Sequence, residues 1–201
     1  LHLDGSVRPS TIASILNMNE QEVRKNICVD NNTKDLKDYL SKFELPISIM
    51  QTKENLTRIS HELALDLKKD NVIYAEIRFA PLFHTKKGLT IEEIITSILD
   101  GLQQVPVKTN LILCMMRGSN YEDNYKVIDA AYRFLNKGVV GIDLAGDEKK
   151  YPVNNFKELF EAAKDKKIPF TIHAGEADNY LSVDNAINLG PTRIGHGVKA
   201  I

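Results

Sequence analysis

Short apolar runs alternate with longer amphipathic stretches along most of this chain. The runs are rich in β-branched residues and are apolar along nearly their whole length, as parallel strands covered on both faces are. The pattern predicts five strands, which cover residues 72–79, 110–116, 139–144, 169–173 and 193–196. A sixth apolar run, residues 1–3, is only long enough to be the end of a strand.

The amphipathic stretches between these runs predict helices. The clearest is Thr90 to Gln104, where Thr90 and Glu93 form a capping box ahead of isoleucines at helical spacing. Further helices are predicted over 52–68, 156–164 and 182–188, and over several pieces between Pro9 and Ser48. Strands that alternate with helices in this way indicate an α/β fold with a parallel sheet.

Two architectures have this rhythm, an open doubly wound sheet and a closed (β/α)8 TIM barrel. The polar residues favour the barrel, because they stand at the C-terminal ends of several different strands, where barrel active sites are built. About six strands are predicted, whereas a closed barrel needs eight, so we expect residues 1–201 to form a single, incomplete TIM-barrel domain. The chain also starts and stops next to strands, which we interpret as a fragment of a longer protein.

Composition and charge narrow the class of protein. The formal net charge is −1, with 43% hydrophobic and 26% charged residues, which argues against a disordered chain and against a general nucleic-acid binder. No run of about 18 apolar residues is present, so we expect no membrane span. Two distant cysteines, Cys28 and Cys114, form neither a disulfide framework nor a metal knuckle, and a reducing cytoplasm is the default location.

A histidine and a glutamate flank a tight glycine turn after the fourth predicted strand. His173 ends the apolar run, and Glu176 follows it by three residues. Neutral imidazole is the commonest protein ligand of zinc, and a nearby carboxylate can move protons to and from a water on the metal. Read alone, the segment is explained equally well by a hydrogen-bonded core histidine and an acid that starts a helix.

Three further segments place polar residues at strand ends. One has His196 between two glycines, which allow the backbone to approach another group closely. Residues 2–5 would put His2 and Asp4 on one side of an extended strand. Residues 141–148 set acids and a glycine after a strand. Each segment alone is more simply a strand-to-loop turn, but four of them at four strand ends indicate an active site.

These segments resemble the motifs of the adenosine deaminase family, in the family's order and at similar spacing. The motifs are His-Leu-Asp-Gly at 2–5, Gly-Ile-Asp-Leu-Ala-Gly-Asp-Glu at 141–148, His-Ala-Gly-Glu at 173–176 and Arg-Ile-Gly-His-Gly at 193–197. Residues 74–81 and 114–117 resemble two more of its strands, so the resemblance covers essentially the whole chain. It implies a zinc-dependent (β/α)8 barrel that acts in purine salvage. The implied reaction is the hydrolysis of adenosine, and also of deoxyadenosine, to the corresponding inosine and ammonia.

The resemblance implies a catalytic role for four residues. His2 matches the second histidine of a His-x-His pair that binds zinc, and His173 matches another ligand of the same single zinc ion. Glu176 matches the acid that protonates purine N1. His196 matches the histidine that orients and stabilises the attacking hydroxide.

The resemblance also implies the contacts with a small purine nucleoside. Gly146 matches the backbone donor to purine N3, Asp4 matches the residue that holds the ribose 5′-hydroxyl, and His2 lies beside the substrate. Adenine deaminases usually have a glutamate in place of Asp4, so Asp4 favours a nucleoside. An adenine or AMP deaminase and a non-catalytic relative remain as alternatives. Only two of the family's four protein zinc ligands have counterparts here, so we expect this chain alone to be inactive.

Overall fold

The computed structural model describes residues 1–29 and 35–201 and divides the chain into two compact units. The first unit covers residues 1–110 and the second covers residues 111–201. Each unit is described by itself. The predicted helical region between Pro9 and Ser48 includes residues 30–34, which lie outside the described residues.

The first unit is mainly helical. Its helices are α1 (Pro9–Leu16), α2 (Glu20–Ile27), α3 (Leu36–Ser41), α4 (Glu44–Ile49), α5 (Lys53–Lys69) and α6 (Ile91–Leu102), and its strand is β1 (Tyr74–Phe79). The side chains of Asn19, Asp35 and Thr52 each accept a hydrogen bond from a backbone N–H in the first turn of α2, α3 and α5. These caps supply acceptors to the otherwise unpaired first N–H groups, and the helices predicted between residues 9 and 68 are confirmed in the described residues.

Helices α5 and α6 pack against each other closely. The predicted capping box at Thr90 and Glu93 is present, and Ile94, Ile95 and Ile98 are fully buried. The contact is closest at Gly101, where a Cβ would lie 2.1 Å from the hydroxyl of Ser60 on α5. A side chain at this position would force the two helices apart.

Residues 1–3 extend the edge of β1 but do not form a strand. Leu3 N–H donates to the carbonyl of Arg78 at 2.9 Å, and Arg78 N–H donates to the carbonyl of Leu1 at 2.8 Å. These bonds make one parallel bridge at His2, after which Leu3 adopts helical angles and Asp4–Ser6 forms a short 3₁₀ turn. The predicted strand end is therefore reduced to a single bridge.

The second unit repeats strands and helices in alternation. Its strands are β3 (Val139–Ala145), β4 (Thr171–Ala174) and β5 (Arg193–His196), its helices are α7 (Tyr121–Phe134), α8 (Lys157–Asp165) and α9 (Tyr180–Asn188), and it includes residues 111–116 of β2 (Lys108–Met116). The strands predicted over 110–116, 139–144, 169–173 and 193–196 are confirmed to within two residues at each end.

Each strand of the second unit lies beside the next one along the chain. β2 and β3 pair in parallel from Ile112 opposite Gly141 onward, and β4 and β5 pair in parallel over four residues each. A parallel bridge joins Ile142 of β3 to Phe170, the residue before β4. The structure therefore shows a mixed α/β fold with parallel strands. The complete (β/α)8 barrel and the single-domain assignment stay predictions.

The hydrophobic pattern did not predict helix α7. Its buried face contains Val127 and Ile128 but is otherwise built from small residues, Ala130 and Ala131, together with Asn124. The exposed face carries three large rings, those of Tyr121, Tyr125 and Tyr132. Large side chains thus face outward and small ones inward, which hides the helical period in the sequence. Among the described helices, none is both long and apolar enough to cross a membrane.

Candidate active site

Two histidines meet at the carboxyl ends of strands β4 and β5. His173 lies opposite Gly195 in the parallel register, and His196 lies opposite Ala174. The centroids of the two imidazole rings are 4.9 Å apart. The structure thus brings together two of the histidines that the sequence selects, at the edge where parallel strands present functional groups.

Glycine at position 195 makes this approach possible. A Cβ there would lie 3.3 Å from Nδ1 of His173, which is closer than a side chain normally comes. His196 itself has φ 65°, in the left-handed region, and Gly197 continues with φ 65°. The predicted close approach is present at Gly195, where the group approached is the His173 ring, whereas a Cβ at Gly197 would meet only Ile194 Cγ2 at 3.8 Å.

A buried carboxylate orients His173. Asp143 on β3 is fully buried, and its Oδ2 lies 2.8 Å from His173 Nδ1. Its Oδ1 accepts a hydrogen bond of 2.7 Å from the hydroxyl of Thr171. The carboxylate favours the imidazole tautomer with its proton on Nδ1, in which Nε2 is the nitrogen able to act as a ligand.

Sequence reasoning assigned no role to Asp143. The signal was present, because an aspartate between Ile142 and Leu144 in a buried strand places a charge in the core. A buried charge is tolerated only when it is paired or hydrogen-bonded, so its position alone predicts a polar partner.

Glu176 faces the second histidine. Its Oε1 lies 3.6 Å from Nε2 of His196, and the two side chains are 23% and 37% exposed. Both groups are therefore reachable by a small molecule, whereas His173 is 5% exposed. An accessible carboxyl and imidazole beside a buried, oriented imidazole can exchange protons with a ligand bound at this edge.

Arg117 supports the loops behind these residues. Its guanidinium donates to the carbonyl oxygens of Tyr151 and His173, each at 2.6 Å. Burial lowers the pKa of Arg117, while Glu148 and Asp143 act in the opposite direction. Sequence reasoning missed this residue, since its partners are backbone atoms far away along the chain.

Gly146 follows β3 and packs against Arg117. It has φ 101°, and a Cβ there would lie 3.3 Å from the Cβ of Arg117. The backbone turn at this position therefore depends on glycine for both its conformation and its space. The role that the resemblance implies for Gly146, as the backbone donor to purine N3, stays a prediction.

His2 and Asp4 belong to the first unit. The prediction that they share one side of a strand is wrong, because the backbone turns into helical angles at Leu3. Asp4 accepts a hydrogen bond from the N–H of Gly5 at 2.9 Å, and burial raises its pKa to about 6. It lines a cavity of about 190 Å³ together with Phe43 and other residues of this unit. The roles that the resemblance implies for His2 and Asp4 stay predictions.

The second unit offers one well-prepared position for a metal ligand. His173 has the arrangement usual for a zinc-binding histidine, with Nδ1 beside a carboxylate. In residues 1–29 and 35–201, however, no group of three or more His, Cys, Asp or Glu side chains is arranged to hold a metal ion. His173 therefore fits one ligand position of a zinc site, and the described residues do not make up a full set.

The chain is similar to known adenosine deaminases. The family model for adenosine deaminase matches residues 1–201. The chain is 43% identical over 210 residues to an adenosine deaminase of Clostridium botulinum strain 657 / Type Ba4, a match that covers 98% of this chain and 63% of the relative. The chain thus spans about 63% of that relative's length.

Solved structures share the fold. The crystal structure of arabidopsis ADAL complexed with IMP superposes with a TM-score of 0.85 at 26% identity, covering 97% of this chain and 62% of that one. An amidohydrolase from Burkholderia ambifaria with bound Zn gives a TM-score of 0.82 at 21% identity, covering 98% and 57%, which shows the fold alone. Because the family model matches residues 1–201, the chain belongs to the adenosine deaminase family.

Proposed function

We propose that the full-length protein carrying this sequence hydrolyses adenosine, and deoxyadenosine, to the corresponding inosine and ammonia. The observation that carries the proposal is the grouping at the ends of β4 and β5. There, Asp143 orients His173, and His196 stands between His173 and Glu176. An oriented imidazole ligand and an accessible acid with a second imidazole are what hydrolysis of an amidine requires.

Zinc is the metal that we propose for this site. His173 would bind it through Nε2, and the resemblance adds His2 as a ligand. A bound zinc ion would supply an acidified water as the nucleophile.

The chain's own residues then divide the proton transfers. Glu176, as a carboxylic acid, donates its proton to purine N1, where negative charge develops when water attacks C6. His196 directs the attacking water at C6 and takes up its proton. That proton passes to the 6-amino group, which leaves as ammonia when the C6–N bond breaks, and the new hydroxyl returns its proton to Glu176 as the C6 carbonyl forms. The N–H of Gly146 donates to purine N3, and Asp4 binds the ribose 5′-hydroxyl.

We also propose that the fold is part of a (β/α)8 barrel in a cytoplasmic enzyme. The parallel strands of the second unit follow one another in chain order, which favours a barrel over a doubly wound sheet, where the order reverses. Residues 1–201 would then form one partial barrel domain.

Replacing the proposed acid tests the function. In the full-length protein, Glu176→Gln is expected to lower kcat for adenosine by at least about 100-fold, because a neutral amide cannot donate the proton to N1. Zinc content should stay the same. Glu158→Gln, at an exposed position on α8, is the matched control and should keep full activity. Turnover by Glu176→Gln within a few-fold of the parent protein would overturn the role of Glu176.

A nucleotide-level deaminase is the second candidate. The arabidopsis ADAL structure was solved with IMP, the product expected from AMP. Adenosine, adenine and AMP should therefore be compared as substrates of the same preparation. A higher kcat/KM for AMP or adenine would replace the nucleoside assignment, and no turnover of any of the three would favour a non-catalytic relative.

A further inference from the structure

The turn that carries Glu176 is hydrogen-bonded to a second glutamate, Glu148. One carboxylate oxygen, Oε2, accepts the N–H of Gly175 and the hydroxyl of Ser182, each at 2.9 Å. The other, Oε1, accepts the N–H of Asp178 at 2.6 Å and also the N–H of Ala177. Three backbone donors on both sides of Glu176 thus converge on one side chain.

Glu148 is buried and charged. It is 2% exposed, so its ionised form has lost nearly all contact with water. Burial raises the pKa of Glu148, but the hydrogen bonds from Asp178, Ala177 and Ser182 outweigh this effect and hold the pKa below its ordinary value. All four partners are donors, which matches the acceptor-only character of a carboxylate.

The rest of the turn leaves little freedom to compensate. Gly175 has φ 68°, and a Cβ there would lie 2.5 Å from Val183 Cγ2 on α9. The carbonyl of His173 is held by Arg117, and the carbonyl of Ala174 accepts the N–H of Gly197 at 2.9 Å. Together, the bonds to Glu148 and the bonds to these two carbonyls fix the path of the chain before and after Glu176.

We propose that Glu148 is a positioning residue, which sets the place of the Glu176 carboxyl by anchoring residues 175–178. The anchor consists of its three backbone hydrogen bonds, from Gly175, Ala177 and Asp178. The inference rests on the proposed function, since it takes Glu176 to be the acid. Misplacing a reacting group by about 1 Å costs about 100-fold in rate, so an anchor of this kind is part of the catalytic design.

Glu148→Gln weakens the anchor with little change in shape. The new NH₂ group must replace one of the two carboxylate oxygens, and each of these oxygens accepts a backbone N–H of the turn. At least one N–H therefore loses its acceptor in either orientation of the amide. Ser182→Ala is the matched control, because it removes a donor to the same carboxylate and leaves the three backbone bonds intact.

Amide hydrogen exchange in the full-length protein tests the anchor without reference to activity. In Glu148→Gln, those amides among Gly175, Ala177 and Asp178 that lose their acceptor are expected to exchange at least about tenfold faster, with β3 unchanged. In Ser182→Ala, they should keep their protection. Unchanged exchange in Glu148→Gln would overturn the proposal.

A kinetic cycle tests whether Glu148 acts through Glu176. Glu148→Gln is expected to lower kcat for adenosine by about 10- to 100-fold, with KM and zinc content within about threefold of the parent. In a Glu176→Gln background, the same change should lower kcat by less than about threefold, since the positioned group is already gone. Equal effects in both backgrounds would mean that Glu148 only supports the fold and would overturn its positioning role.

The two hypotheses can fail separately. If the parent protein deaminates no purine, the proposed function fails, while the exchange result still decides whether Glu148 anchors the turn. If the parent is active and the cycle is additive, the function stands and the positioning role fails.

Discussion

Replacing Asp143 with asparagine tests how much the buried carboxylate contributes to the site. The asparagine oxygen can accept from His173 Nδ1, and its NH₂ group can donate to the hydroxyl of Thr171, which is able to accept. The Thr171 hydroxyl then loses Oδ1 as the acceptor of its own proton, a loss that a Thr171→Val control reproduces without removing the charge. The change removes the negative charge beside His173 and keeps the shape of the side chain.

The structure sets the size of the effect. A hydrogen bond to a charged group contributes about 1.5–3 kcal/mol, against about 0.5–1.5 kcal/mol for a neutral pair. The Nδ1–Oδ2 distance is 2.8 Å and Asp143 is fully buried, so the loss is not screened by solvent. A difference of about 1.4 kcal/mol corresponds to a factor of about ten. We therefore expect zinc to bind Asp143→Asn about tenfold more weakly, because the His173 imidazole becomes a weaker electron-pair donor to the metal.

The assay is a zinc titration of the full-length protein against a competing chromophoric chelator. Thr171→Val is the control, because it removes the bond to Oδ1 and keeps the charge on Asp143. It should change the zinc affinity by less than about threefold. A zinc Kd for Asp143→Asn within about twofold of the parent value would refute the argument that this carboxylate tunes His173.

Three further changes test the packing around these elements. Burial lowers the pKa of His84 from 6.5 to about 4. As the pH drops from 6.5 toward 4, this imidazole is therefore protonated in the unfolded chain but not in the folded one, and the free energy of unfolding should fall. The loss is about 3 kcal/mol, and urea titrations at several pH values should show a flatter dependence in His84→Phe. Gly101→Ala should lower Tm, since the new methyl group overlaps the Ser60 hydroxyl and the Thr57 carbonyl, a destabilisation of about 1–3 kcal/mol; an unchanged Tm would contradict the tight helix contact. Arg117→Met should destabilise the chain by about 3–5 kcal/mol in urea, because two buried carbonyls lose their donor and the acids nearby lose their cation; a loss below about 1 kcal/mol would contradict this.

The sequence predicts those elements whose signals are local. Helix α6 is marked by its capping box and by isoleucines on one face, and both features are present in the structure. Helix α7 escaped prediction, because three of its five buried residues are alanine or asparagine and its large rings face outward. The pattern of large apolar residues therefore predicts a helix only where such residues fill its buried face.

The site shows the same division. His173, Glu176 and His196 were selected because each stands at a strand end beside a glycine. Arg117 and Glu148 were not, since their partners are backbone atoms 27 or more residues away, and a backbone atom leaves no trace in residue identity. The turn at Leu3 was missed for a related reason, because apolar residues fit a bridge and a short strand equally well.

The bare backbone at Gly195 has a consequence for how this site can vary. Every one-base change of a glycine codon that alters the amino acid introduces a Cβ, and a Cβ here would come within 3.3 Å of the His173 ring. The ring cannot turn away freely, because its Nδ1 lies 2.8 Å from Oδ2 of the buried Asp143. No mutational path of single steps leads away from glycine without moving the imidazole. A population carrying this gene should therefore keep position 195 constant even where neighbouring positions drift.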